Sequence, residues 1–203
     1  MSLFYQLMLI YQDVFNPKYF LLLSAVLIVF YDWKNSSHDS RHLFGRLAVI
    51  SACYAIGIET MDFLLQQVYA HSSSFPQYLE DFSAIAGMML GLTLSVALWR
   101  KLGYGREVIC GALGLIAVSV PYTAISYIWN ISGHVTFTAA PVTYLTALDR
   151  RLAILYVIPA IMVLNRPVVG AHTVLQSVAG LILGISMMLV GVRCYRAGSC
   201  TTC

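Results

Sequence analysis

"EVICGALGLIAVSVPYTAISYIW", residues 107 to 129, carries one acid at its first position and no other charge. A bilayer core needs about 20 consecutive apolar residues per helix, so this run reads as a membrane span. Further candidate spans lie at 18–33, 44–69, 82–99, 134–148, 152–165 and 172–192. The fifth and sixth in chain order are short by that measure. Only "DRR", residues 149–151, separates them, which requires a tight turn at a membrane surface. The expectation is an all-α fold: a polytopic transmembrane helical bundle of seven spans, or six if one segment is re-entrant or interfacial.

Composition agrees with that reading. The 203 residues are 59% hydrophobic and 10% charged, where soluble domains carry roughly 25% charged residues. A net charge of +3, dispersed between apolar runs, excludes a nucleic-acid-binding surface; the basic residues read as topology signals. Residues 1–17 lack the basic and small-residue features of a cleavable signal and are expected to lie at the interface. Residues 18–193 then form the bundle, and 194–203 a cytoplasmic tail holding Cys194, Cys200 and Cys203. Cys53 and Cys110 lie inside apolar runs, where packing is the expected role.

Basic residues mark alternate connections. Lys34, Arg41 and Arg46 surround the first, Arg100, Lys101 and Arg106 the third, Arg150 and Arg151 the fifth, and Arg193 and Arg196 follow the last span. The connections "YAHSSSFPQYLEDF" (69–82) and "NISGH" (130–134) have none. The positive-inside rule makes the basic set, and the C-terminus, cytoplasmic. Lys18 and Arg166 are exceptions on the other face.

The Arg166 exception reads "NRPVVGAHTVLQSVAG", residues 165–180, and shares its face with Ser132-Gly133-His134. Backbone N–H groups at a helix start behind a Ser-Gly pair suit an anion. Arg166 can bind phosphate oxygens bidentately, one histidine can attack phosphorus and a second can protonate the leaving oxygen. Taken singly, each residue has an ordinary role: Ser132 caps a helix, His134 is an interfacial polar group, and Arg166 snorkels toward headgroups.

These two motifs together resemble the type 2 phosphatidic acid phosphatase superfamily of membrane lipid phosphatases and phosphotransferases. That family carries P-S-G-H, and later S-R, five residues, H, three residues, D. The likeness covers roughly residues 130–190: Ser132-Gly133-His134, Arg166, His172 after five intervening residues, and Val178, Ala179 and Gly180 close to the usual ending. The resemblance implies His172 as a nucleophile forming a phosphohistidine, His134 as the acid, and Ser132, Gly133 and Arg166 as the phosphoryl-binding set. It implies no metal or other cofactor, and as substrate a phosphorylated lipid such as a polyprenyl diphosphate or phosphatidate, met at the non-cytoplasmic face.

This chain departs from the family at three places. Gln176 stands where the orienting aspartate belongs; its side-chain carbonyl can accept an imidazole N–H but brings no charge. An amide replacement of a comparable triad aspartate lowers rate about 10⁴-fold. Asn165 replaces serine before the arginine, and no stretch supplies the family's first Lys/Arg-Pro motif. In "RKLGYGRE", Lys101 and Arg106 lie on the opposite face. Glu59 and Asp62, three apart inside an apolar run, are further candidates, because ionisable groups in a membrane face a cavity or a partner. They would pair with Arg166 or His172, receive a cationic headgroup, or form a structural polar cluster between helices. A competing reading is a transport or binding protein that holds an anionic lipid without cleaving it. A retinal receptor is disfavoured, since the last span has no lysine.

Overall fold

The computed structural model describes residues 2–36, 40–71 and 78–198. Among these the fold is all-α. It comprises α1 (Leu3–Val14), α2 (Pro17–Ser36), α3 (Ser40–His71), α4 (Tyr78–Lys101), α5 (Arg106–Ile128), α6 (Gly133–Leu148), a 3-10 segment (Arg150–Tyr156) running into α7 (Val157–Val168), and α8 (Val174–Ala197). Five helical stretches are long and apolar enough to cross a membrane, α3, α4, α5, Arg150–Val168 and α8, and the bent pair α1 plus α2 makes a sixth. The chain is an integral membrane protein.

The order of elements follows the apolar runs, with three adjustments. The N-terminal segment is a helix of its own, set 49° from α2 across Phe15 and Asn16, with Pro17 starting α2 where its missing N–H does no harm. Asp149 accepts the Arg151 N–H at 2.9 Å, so "DRR" is a capped turn into a 3-10 start. The expected tail is shorter than residues 194–203, because α8 continues to Ala197 and Gly198 ends it in a left-handed conformation. Cys194 therefore sits on the helix, while Cys200 and Cys203 lie outside the described residues. Cys53 is a buried free thiol; Cys110 is disulfide-bonded, which corrects the expectation of packing alone.

The short helix α6 is the hub. At 16 residues it spans about 24 Å, less than a bilayer core. Every residue from 135 to 145 is buried, because α2, α5, α7 and α8 pack around it. Small residues let the backbones close in, as is usual where no water drives helix association. A Cβ placed on Gly180 would come within 2.7 Å of the Ser132 carbonyl, and one on Gly57 within 2.8 Å of the Gly87 carbonyl.

Connections alternate between two ends of the bundle. At the basic end, Asp32, Arg46, Trp99 and Glu107 are buried together. Asp32 faces Arg46 at 3.4 Å and accepts from the Trp99 indole at 3.2 Å; Asn35 donates to Glu107 at 2.8 Å, and the Tyr144 hydroxyl to its carbonyl at 2.7 Å. This lattice ties α2 through α6 at one end. Removing one member of a buried pair strands the other charge, so Asp32→Ala should lower unfolding stability by about 3–5 kcal/mol. Denaturant unfolding in detergent, with exposed Lys101→Ala as the control of unchanged stability, checks this.

Candidate functional site

At the opposite end, the starts of α6 and α8 lie side by side. Ser132 is the N-cap of α6: its hydroxyl accepts from the Val135 N–H at 3.5 Å and its carbonyl from Thr136 at 3.0 Å. The Ser132 N–H donates across to the Gln176 carbonyl of α8 at 3.4 Å. Next to it, Gly133 has no room for a side chain, since a Cβ there would sit 2.6 Å from the Tyr122 hydroxyl. His134 follows on the first turn, half-buried.

Arg166 stands in the last turn of α7, 7% exposed. The chain then doubles back. Gly170 adopts φ +74°, a left-handed value that a residue with a Cβ resists, and the Arg166 carbonyl accepts from Ala171 at 3.0 Å and His172 at 3.4 Å. This turn carries His172 back toward the arginine and puts His134, Arg166 and His172 within electrostatic range of one another. The five residues expected to hold the phosphoryl group, attack it or protonate the leaving oxygen are therefore gathered near the start of α6.

The ring of His172 is oriented by backbone. Its Nδ1 lies 3.1 Å from the Asn130 carbonyl, which can only accept, so Nδ1 carries the proton and Nε2 keeps a free lone pair. His172 lies in the turn outside α7 and α8. Burial, and then the Arg166 charge, push its pKa below the usual 6.5, against an opposing effect of the Asn130 bond. The ring is neutral at pH 7.

Arg166 donates from one terminal nitrogen to the Gln12 side chain of α1 at 2.7 Å, and its Nε is buried with no partner. Among the described residues no carboxylate pairs with it. A buried guanidinium without a counter-ion is a standing demand for an anion. Its neighbour Asn165 is fully buried and donates to the Met8 carbonyl at 2.6 Å, so the residue that departs from the S-R pattern anchors α1.

Gln176 does something other than expected. Its side-chain oxygen accepts the Thr173 N–H at 2.8 Å, and its own N–H donates to the Thr173 hydroxyl at 3.2 Å. That reciprocal capping box opens α8 and occupies the carbonyl that was to orient the imidazole. Glu59 and Asp62 are likewise not at the site: Asp62 faces Lys18 at 3.6 Å, and Glu59 is exposed on α3. One acid is linked to the site: Asp81 accepts hydrogen bonds from Ser126 and from Tyr122, whose hydroxyl stands beside Gly133 and within electrostatic range of Arg166.

Four contributors were therefore missed: Asn130, Gln12, Tyr122 and Asp81. Asp81 had a signal, an acid in a connection without Lys or Arg, and Asn130 directly precedes Ile131-Ser132. Gln12, 154 residues from Arg166, had none. Among the described residues no three His, Cys, Asp or Glu side chains gather to hold a metal. Comparison with protein-family models, curated proteins and solved structures returns no match.

Because the Asn130 carbonyl holds the ring, Gln176→Ala should leave the His172 tautomer unchanged and weaken only the α8 cap, by about 1 kcal/mol. Nitrogen NMR of the imidazole and denaturant unfolding read the two effects separately.

Proposed function

We propose that this chain is an integral membrane lipid phosphatase or phosphotransferase, a divergent relative of the type 2 phosphatidic acid phosphatases, acting through a phosphohistidine. One observation carries the reading. Two histidines meet a buried arginine without a counter-ion at the start of α6, where the Gly133 and His134 N–H groups have no acceptor among the described residues. Such a place suits a phosphoryl group and few other ligands.

The chemistry follows from the tautomer. A phosphoryl oxygen lies against Arg166 and the α6 N–H groups. The His172 Nε2 lone pair attacks phosphorus in line, the N–P bond forms, and the bond to the lipid oxygen breaks. His134 delivers the proton that the leaving oxygen needs. No carboxylate stands beside His134 among the described residues, so the charge that balances its protonated ring arrives with the phosphate itself. Water, or another hydroxyl, then takes the phosphoryl group from His172. With the basic loops at the cytoplasmic end, the site faces the other side of the membrane. The substrate is an amphiphile whose phosphate lies at headgroup depth, such as a polyprenyl diphosphate or a phosphatidate.

A second reading has one specific observation in its favour. The family's acid–imidazole pair is absent, because Gln176 is committed to the α8 cap and a neutral carbonyl holds His172. A protein of this fold that binds an anionic lipid without cleaving it would need no such acid.

Phosphate release by the purified protein from a panel of lipid phosphates separates the two. Turnover should be abolished in His172→Ala and reduced about 10²–10⁴-fold in His134→Ala. Binding without turnover in the unmodified protein would favour the second reading. The pH profile adds a sign. Protonating His172 removes its lone pair, so the rate should fall on acidification with its midpoint below 6.5, the usual histidine value. An acid limb centred above that value contradicts the assignment.

A further inference from the structure

The sequence left two oddities that the phosphate site does not absorb: Lys18 on the face poor in basic residues, and the pair Glu59 and Asp62 inside an apolar run. The structure pairs Lys18, which lines a cavity, with Asp62. Lys18 Nζ lies 3.6 Å from Asp62, with the side chains 43% and 48% exposed, a loose pair open to a third party. Glu59, one turn back on α3, is exposed nearby.

Behind this pair a cavity of about 170 Å³ runs between α2, α3 and α4, lined by residues such as Leu21, Ala25, Gly57, Ile58, Ala84 and Met88. For scale, a cavity of about 150 Å³ holds a benzene molecule. A smaller one of about 50 Å³ shares Leu21, Ala25, Ile50 and Leu92 with it and continues to Ile28 and Val108. From Pro17 to Ile28 the two follow about 16 Å of α2, a shape for a chain rather than a ring. Two of the hydroxyls on its wall have partners of their own: Tyr54 donates to the Lys18 carbonyl at 2.6 Å and Ser95 to the Gly91 carbonyl at 2.7 Å. Apart from Ser24 the walls offer little to a polar occupant, and inside a membrane the available filler is hydrocarbon.

Depth fixes the rest. With 32 residues, α3 is about 48 Å long and exceeds the bilayer core of about 30 Å. Asp62 stands about 33 Å along it from Ser40, at the level where core gives way to headgroups. Lys18 on the cavity wall and Asp62 beside it thus bring one ammonium and one carboxylate to that level. That pair complements a phosphodiester at Lys18 and an ammonium at Asp62, whereas a headgroup bearing only negative charge leaves the Asp62 carboxylate without a match.

We propose that this cavity binds one zwitterionic phospholipid, with a hydrocarbon chain between α2, α3 and α4 and its headgroup at Lys18 and Asp62. The site is separate from the histidines and does not depend on the phosphatase reading.

Native mass spectrometry of the purified full chain, titrated with phosphatidylcholine or with phosphatidylglycerol of the same acyl chains, tests it. The choline lipid should be retained at least about tenfold more tightly, since one charge contact is worth about 1.4 kcal/mol or more. Ala25→Leu with Ala84→Leu fills the cavity and should abolish the retained adduct. Lys18→Gln with Asp62→Asn should keep an adduct but lose the preference, and as an exposed pair it tests the idea even if the filled variant does not fold. His172→Ala should leave binding unchanged. Equal retention of the two lipids, an adduct surviving in a folded cavity-filled variant, or loss of the adduct in His172→Ala would each overturn the proposal.

Discussion

The close seam between α6 and α8 is the constraint on which the rest of this structure depends. Gly180 and Gly184 bring α8 onto the backbone of α6, where a Cβ on Gly184 would sit 2.5 Å from the Thr136 carbonyl. Helices this close must also agree in register, and the Ser132–Gln176 backbone bond shows that they do. The start of α6 and the start of α8 are thereby fixed at one level. His134 follows the first and His172 precedes the second, so two residues 38 positions apart in the sequence share one small volume. Without glycine at the seam the helices would separate by about a side chain, and the histidines with them.

The two ends of the bundle use their polar residues differently. At the basic end Arg46 faces the Asp32 carboxylate, and Trp99 and Asn35 donate to Asp32 and Glu107, although Asp32 Oδ1 and the Arg46 Nε and Nη1 have no hydrogen-bond partner among the described residues. At the other end, among the described residues, Arg166 has only a neutral amide from Gln12, and its Nε has no partner. A buried cation that the protein itself leaves without a counter-ion is the physical basis for reading this end as the place where an anion binds. The helix that supplies Gln12 is held by Asn165 and by the Tyr11 hydroxyl, which donates to the Ile158 carbonyl at 2.8 Å. Thus α1 belongs to the site's wall as well as to the membrane-facing surface that Leu3, Leu7, Ile10 and Val14 present.

How the imidazole is held bears on both functional readings. A carboxylate would orient the ring and also stabilise its charged form; a backbone carbonyl does the first and contributes far less to the second. His172 is therefore positioned with Nε2 free, yet a positive charge on the ring gains little from its partner. The arrangement keeps the geometry of a nucleophile and gives up part of the electrostatic support.

The sequence by itself determined the all-α membrane character, the alternation of basic connections, and the residues His134, Arg166, His172, Ser132 and Gly133 as a set on one face. These are local properties: apolar length sets a helix, and loop parity sets an end. Of the seven spans expected, five stretches and one bent pair qualify among the described residues, and α6 is too short to count among them. Tertiary structure alone decided who bonds to whom. Gln176 lies three residues after Thr173 at a helix start, and the nearby backbone N–H wins its carbonyl over the imidazole. Asp62 meets Lys18 because α2 begins where α3 passes, and Asp81 reaches the site only through Tyr122 on another helix. Such pairings depend on which helices touch and at what rotation, and those are set by where glycines allow contact, a property of two surfaces together that neither segment encodes alone.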